Sequence, residues 1–270
     1  MEAVLLAPDP REPLGLWSRA GRSLPAHADL RALAFEFSSR GDRVPGRVLL
    51  PPDGEGPFPV VLLQHGASGA KDAPYMDAVA APWARGGVAV ASIDFPLHGE
   101  RASAKLGSLL RAGLGLDPGG GPLEVGIAHE FLRQAVLDLR RCLDALAALD
   151  VLDRGRIAYA GLSLGAIVGA IFCALDPRPR AAVLALAGAG RGVSDLDPLH
   201  HVGRIAPRPV LFVNATRDTV VSRDRAERLH AAAGEPREVL WFDSGHADLP
   251  GRALQAMWHF LRGRLLLGGT

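Results

Sequence analysis

The stretch YAGLSLGAIVGAI, residues 159–171, places one serine between two glycines in a run of small and aliphatic residues. Because the apolar segment RIAYAG leads into it and a helix-like run leads out, the serine falls at a tight turn from a strand into a helix. Side chains at Gly161 and Gly165 would collide in such a turn, which fits the pattern G-x-S-x-G around Ser163. The pattern predicts either an exposed nucleophilic serine or a buried serine that caps the helix.

Strands and helices alternate along most of the chain, which predicts the α/β class with a mostly parallel central sheet and helices on both faces. Residues 33–39 and 46–52 flank a Gly-Asp turn and predict a hairpin that makes one edge antiparallel. Residues 1 to about 30 are expected to form a loose arm or a short helix, and the length fits one domain over 1–270. Further strands are predicted at 60–66, 87–95, 156–161, 181–188, 208–216 and 237–245, and helices at 74–85, 127–149, from Ser163, 222–233 and 250–265.

The segment at about 100–125 is too long for a plain connection and too short for an independent domain. Its centre, GLGLDPGGGP at 113–122, is rich in glycine and proline. Two interpretations fit this composition: a small lid-like excursion over a site, or a disordered surface loop.

Composition excludes several classes of protein. The chain has 270 residues, 48% of them hydrophobic, and a formal net charge of +1, so no charge favours binding to nucleic acid or an anionic membrane. We expect no signal peptide and no membrane span, because the start lacks basic residues and no apolar run reaches about 18 residues, and we expect a cytoplasmic protein. Cys142 and Cys173 lie in apolar, helix-like segments and are expected to be reduced core residues.

The motifs for cofactor and metal binding are each incomplete in this sequence. GLGLDPGGG has proline where the third glycine of a dinucleotide-binding G-x-G-x-x-G must stand, and no strand precedes it. His129-Glu130 lacks the second histidine of H-E-x-x-H, and no cysteine–histidine cluster suggests zinc. The sequence therefore predicts no cofactor and no metal.

A serine nucleophile needs a base to take its proton and an acid to orient that base. On a hydrolase sheet, the acid and the histidine follow the serine in that order, each in a loop after a later strand. Asp218 follows the predicted strand 208–216, and His246 follows 237–245, so both fit. Weaker candidates, by their placement on strands, on helices or before the serine, are Asp224, Asp243, His65, His98, His200, His201 and His259.

Ester hydrolysis also needs N–H donors for the oxyanion of the tetrahedral intermediate. One donor is expected from Leu164, the residue after the serine. The second is expected from the loop after strand 60–66, where Ala67 is the first choice and Ser68 a neighbouring alternative. An ordinary glycine turn is the competing interpretation of that loop.

The chain resembles the α/β-hydrolase superfamily, in particular its dienelactone-hydrolase-like and prolyl-oligopeptidase-like serine esterases. The resemblance is carried by QHGASGAKD, IDFPLHGER, LDRGRIAYAGLSLG, NATRDTVV and SGHADLP, in the order the family uses. It implies Ser163 as nucleophile, Asp218 as acid and His246 as base, with an acyl-enzyme intermediate and no cofactor. The oxyanion loop is not of the Gly-Gly-Gly type, and dienelactone hydrolases proper use cysteine, so that substrate is not carried over.

The loop DFPLHGER, residues 94–101, has two interpretations. Asp94 and His98 are expected to hold the loop by hydrogen bonds. Alternatively Phe95, Leu97 or His98 lines a substrate pocket, to which Ser68 also contributes.

These observations predict a serine esterase that cleaves small carboxylic esters, with a short or medium acyl group. A thioesterase, amidase or peptidase on the same fold is the nearer alternative, and a non-catalytic binding protein the more distant one. The sequence leaves the oligomeric state open, with a homodimer as one option.

Overall fold

A nine-stranded mixed sheet forms the centre of the computed structural model, which describes residues 6–22, 24–190 and 195–266. Its order is β1-β2-β3-β5-β4-β6-β7-β8-β9. The strands are β1 Trp17–Ala20, β2 Arg31–Ser39, β3 Asp42–Leu50, β4 Phe58–Gln64, β5 Ala89–Ile93, β6 Leu152–Leu162, β7 Pro179–Ala185, β8 Val210–Ala215 and β9 Arg237–Phe242. The α-helices are α1 Pro74–Arg85, α2 Ala104–Gly113, α3 Pro122–Ala147, α4 Leu164–Leu175, α5 Arg223–Ala232 and α6 Gly251–Leu265, and short 3-10 helices lie at Pro25–His27, Gly99–Arg101, Pro198–His200 and Val202–Ile205.

Strands β4 to β9 are parallel to one another, and the predicted hairpin is present as the antiparallel pair β2–β3. Strand β3 joins the hairpin to the parallel part by pairing antiparallel with β5. Strand β1 adds an edge strand beyond β2, where the sequence suggested an arm or a short helix. The sequence did not predict this strand, because all four side chains of β1 are exposed and the segment carries no apolar alternation.

Two hydrophobic layers cover the sheet, as the sequence predicts. Along β4, Val60 and Leu62 point to one layer while Val61 and Leu63 point to the other, because successive side chains of a strand alternate. Helices α2 to α5 contribute to the first layer, and α1 and α6 to the second. The carboxyl ends of the parallel strands therefore remain as the place where loops converge.

The segment between β5 and α3 contains a helix that the sequence did not predict. Helix α2 begins after Ser103, whose Oγ accepts a hydrogen bond from the Leu106 N–H at 3.4 Å. Only Leu110 of this helix is buried, so the helix contributes a single side chain to the core. Helix α3 begins at Pro122 rather than 127, and whether the segment moves as a lid stays a prediction.

Cys142 and Cys173 are both free and fully buried, as expected from their apolar surroundings. Burial raises the pKa of each thiol far above its ordinary value. Within the described ranges, no helix is both long and apolar enough to span a bilayer.

We predict that the free energy of unfolding falls in mild acid, because two histidines are buried. Burial lowers the pKa of His65 and of His230 to about 4. In the unfolded chain, each of these histidines has a pKa near 6.5. Their contribution to the free energy of unfolding is therefore complete above that pH and falls as the pH drops towards 4. The loss is on the order of 3 kcal/mol for the fully buried His65 and smaller for His230, measurable as a lower urea midpoint at pH 4.5 than at pH 7. His230→Gln should reduce this difference, and an unchanged pH dependence in that variant would contradict the assignment.

Candidate active site

Ser163 occupies the turn between β6 and α4 in a backbone conformation that L-residues rarely adopt, with φ 53° and ψ −112°. Its N–H donates to the Ala185 carbonyl at 2.8 Å, which fixes the turn to β7. A Cβ on Gly165 would lie 2.6 Å from the Gln64 carbonyl oxygen, and one on Gly161 would lie 2.5 Å from the backbone of Gly165. The two glycines are therefore required by close backbone approach, and packing of the helix alone does not explain them.

The structure brings Ser163, His246 and Asp218 into one line of hydrogen bonds. His246 Nε2 lies 2.8 Å from Ser163 Oγ, and His246 Nδ1 lies 2.7 Å from Asp218 Oδ2. The Asp218 side chain is 6% exposed, and its Oδ1 accepts the N–H groups of Val220 and Val221, both at 2.8 Å. The carboxylate is thus fixed on both oxygens, so the imidazole is oriented with its Nδ1–H towards Asp218 and its Nε2 towards the serine.

Asp218, which the sequence order selects as the acid, and Asp243, a competing candidate, occupy different surroundings. Asp218 follows β8 and contacts the imidazole, whereas the side chain of Asp243 is 72% exposed. Asp243 instead lies near Arg217 and Thr216. Its position three residues before His246 in the sequence therefore does not bring it to the histidine ring.

The predicted oxyanion donors lie on either side of the serine. Leu164 is the first residue of α4, and its N–H has no partner inside the helix. The loop after β4 passes so close that a Cβ on Gly66 would lie 3.4 Å from the Ser163 Cβ. Neither the Ala67 N–H nor the Leu164 N–H donates to another described residue. Both N–H groups therefore remain candidates for the oxyanion donors.

A cavity of about 830 Å³ opens beside the serine turn, at Leu164 and Ile167. Its walls come from segments that the sequence reasoning did not assign to a pocket, among them the glycine-rich stretch at 113–122, for which a lid-like excursion and a disordered loop were both open. The lining comprises 112–120, Val125, Ala128, His129, Leu132, Leu164, Ile167, Gly188, Gly190, 196–198 and Arg225.

The predicted pocket residues do not line this cavity. Phe95 is fully buried, with its ring centroid 6.0 Å from that of Phe131 and 5.0 Å from that of His65, so its assignment to the pocket is corrected. Leu97 is half-buried and lines a separate cavity of about 250 Å³ that does not reach the triad residues. Ser68 is exposed next to the oxyanion loop and lines neither cavity.

His98 belongs to the framework of the site rather than to a pocket wall, which corrects the second interpretation of its loop. The ring is buried, with Nδ1 2.8 Å from the Pro96 carbonyl oxygen and Nε2 2.9 Å from the Ala67 carbonyl oxygen. The buried Asp94 carboxylate accepts both the N–H and the Nζ of Lys71, each at 2.8 Å. These contacts connect the loop after β5 to the loop after β4, in agreement with the interpretation that Asp94 and His98 hold the loop by hydrogen bonds.

Comparison with known proteins identifies a family and a relative of this chain. The acetyl xylan esterase (AXE1) family profile matches residues 26–187. An uncharacterised protein of Mycobacterium tuberculosis is 36% identical over 176 residues, which cover 58% of this chain and 59% of the relative. The matched part therefore spans less than two thirds of that relative's length.

Solved structures share the fold. A cold-adapted esterase from an Arctic intertidal metagenomic library superposes with a TM-score of 0.74 at 24% identity, covering 92% of this chain and 97% of that one. An acetyl xylan esterase from a Paenibacillus species gives a TM-score of 0.75 at 21% identity, covering 98% and 92%. The expected α/β-hydrolase fold is thus confirmed, and the chain belongs to the acetyl xylan esterase (AXE1) family.

Proposed function

We propose that this protein is a serine-dependent carboxylic ester hydrolase. The observation that carries the proposal is the continuous line from Asp218 through His246 to Ser163, with heavy-atom distances of 2.7 and 2.8 Å. The distance between His246 and Ser163 is short enough for direct proton transfer, and the distance between Asp218 and His246 is short enough for the carboxylate to orient the imidazole. Membership of an esterase family supports the same activity.

In the first half of the reaction, Ser163 Oγ attacks the ester carbonyl carbon while His246 Nε2 takes the hydroxyl proton. Asp218 keeps the histidine in the required tautomer and stabilises the imidazolium that forms. The N–H groups of Leu164 and Ala67 donate to the carbonyl oxygen, which becomes negatively charged. The C–O bond to the alcohol then breaks, and the imidazolium proton goes to the leaving alkoxide.

In the second half, a water attacks the acyl-serine ester and gives its proton to His246 Nε2. The tetrahedral intermediate collapses, the serine oxygen takes the proton back, and the carboxylic acid leaves. The enzyme returns to its starting state, so the three residues complete the cycle with water as the second substrate.

We assign the acyl group to the short or medium range. The Paenibacillus structure is described as an acetyl xylan esterase, and a cavity of about 830 Å³ holds a small ester with room for its alcohol part. The cavity wall has both apolar side chains such as Leu132 and polar ones such as His129. A short ester with a polar alcohol fits this mixture better than a long aliphatic chain.

The proposal is tested with p-nitrophenyl acetate, butyrate and octanoate, together with a thioester and an anilide of the same acyl group. We expect the highest kcat/KM for a short ester and covalent labelling of Ser163 by a fluorophosphonate probe, located by mass spectrometry. A higher kcat/KM for the thioester or the anilide would move the activity to the corresponding hydrolase class. If there is neither turnover nor labelling, the chain is not a serine hydrolase.

A further inference from the structure

The proposed oxyanion donor Ala67 N–H belongs to the same peptide unit as the Gly66 carbonyl. In a trans peptide these two groups point in opposite directions, so whatever holds the carbonyl also sets the direction of the N–H. Two donors reach the Gly66 oxygen: His65 Nδ1 at 2.8 Å and the Gly69 N–H at 3.0 Å. Of these two donors, His65 Nδ1 belongs to a side chain and the Gly69 N–H to the backbone.

The protonation state of His65 follows from its second contact. The Phe95 N–H donates to His65 Nε2 at 3.2 Å, so Nε2 keeps its lone pair and Nδ1 carries the proton. The ring has no exposed surface and packs against Phe95 and His98, with centroid distances of 5.0 and 5.1 Å. Since burial lowers its pKa to about 4, the ring stays neutral, with Nδ1–H aimed at the Gly66 carbonyl, at neutral pH.

We propose that His65 is a positioning residue of the oxyanion hole, which holds the Gly66–Ala67 peptide so that the Ala67 N–H faces the developing oxyanion. The inference rests on the proposed function. The hydrogen bond to the carbonyl also polarises the peptide unit and makes its N–H a stronger donor. His98 Nε2 contacts the next carbonyl, that of Ala67, so imidazole rings hold two consecutive peptide units of the loop.

A histidine that only filled space would behave differently from a positioning residue. Its replacement would lower stability without a specific effect on the chemical step. A lost or misdirected oxyanion donor instead weakens binding of the transition state more than binding of the substrate, so kcat falls while KM changes little.

The decisive pair of variants is His65→Asn and His65→Gln. The asparagine amide nitrogen reaches the place of Nδ1 and still donates to the Gly66 carbonyl, whereas the glutamine amide reaches the place of Nε2 and loses that bond. We expect kcat for p-nitrophenyl acetate within about fivefold of wild type for asparagine and a loss of about 10- to 100-fold for glutamine. KM should stay within about threefold in both, because substrate binding does not need the oxyanion donor.

His230→Leu is the matched control. His230 is also a buried histidine with a lowered pKa, but its Nε2 contacts Asn214 at 3.2 Å rather than the loop. Its loss should reduce the urea midpoint and leave kcat unchanged. The inference is overturned if the glutamine variant keeps the wild-type kcat, or if the asparagine and glutamine variants are equally impaired.

Amide hydrogen exchange separates this inference from the proposed function. Wild-type protein without esterase turnover would refute the function, yet the exchange rate of the Gly69 amide, which donates to the Gly66 carbonyl at 3.0 Å, would still report on the hold that His65 exerts. We expect faster exchange, by about tenfold, in the glutamine variant and near-wild-type exchange in the asparagine variant. Equal exchange in all three proteins would refute the positioning role.

Discussion

Replacing Ser163 with alanine should lower kcat for p-nitrophenyl acetate by about 10⁶-fold, to the level left by binding and the oxyanion hole alone. The variant lacks the oxygen that forms the acyl-enzyme, while His246 and the cavity beside Leu164 stay in place. KM, where turnover permits its measurement, should therefore change little. Covalent labelling by the fluorophosphonate probe should disappear.

Ser18→Ala is the control for this experiment. Ser18 lies on the exposed edge strand β1, and its replacement removes the same hydroxyl group at a place outside the site. It should keep wild-type turnover and labelling. A loss below about tenfold in Ser163→Ala would refute Ser163 as the nucleophile, because no other group in the proposed mechanism replaces its oxygen.

Replacing Asp218 with asparagine should lower kcat by about 10⁴-fold with little change in structure. The new amide keeps an oxygen for the N–H groups of Val220 and Val221, so the loop stays folded. The amide nitrogen, however, faces His246 Nδ1 and donates to it, which moves the imidazole proton to Nε2. A protonated Nε2 cannot accept the proton of Ser163, and the base is lost although every residue is close to its original position.

Asp243→Asn provides the matched control, because it removes a carboxylate on the loop that carries His246. Asp243 is exposed and makes its contacts with Arg217 and Thr216. Its variant should keep kcat within about twofold of wild type. A large loss in Asp243→Asn together with a small one in Asp218→Asn would reverse the assignment of the acid.

The convergence of Ser163, Asp218 and His246 was predictable because local patterns determine where each residue stands. Each follows a strand that its apolar residues identify, and the carboxyl ends of parallel strands meet at one edge of a sheet. Gly161 and Gly165 identified the turn of Ser163, since no other residue fits where the backbones approach within 2.6 Å. The order serine, aspartate, histidine then selected among the remaining acids and bases.

The cavity and the direction of single side chains were not predictable in the same way. The sequence placed Phe95 and His98 in a loop after a strand, but only the packed structure shows that both rings turn inward. Helix α2 buries one residue and strand β1 none, so neither element is held in place by a buried apolar face of its own. Such features are determined by contacts between segments far apart in the chain.

The cavity wall and the three residues of the proposed mechanism are carried by different parts of the chain. Much of the described wall is one continuous stretch, residues 112–120, whereas Ser163, Asp218 and His246 stand on turns after three different strands. If the proposed function holds, we expect insertions, deletions or exchanges in that stretch to alter which alcohol or acyl group is admitted while the reacting atoms keep their places. The gene would then acquire new substrate preferences through one short block of codons, and a library restricted to that block would be a direct route to altered selectivity.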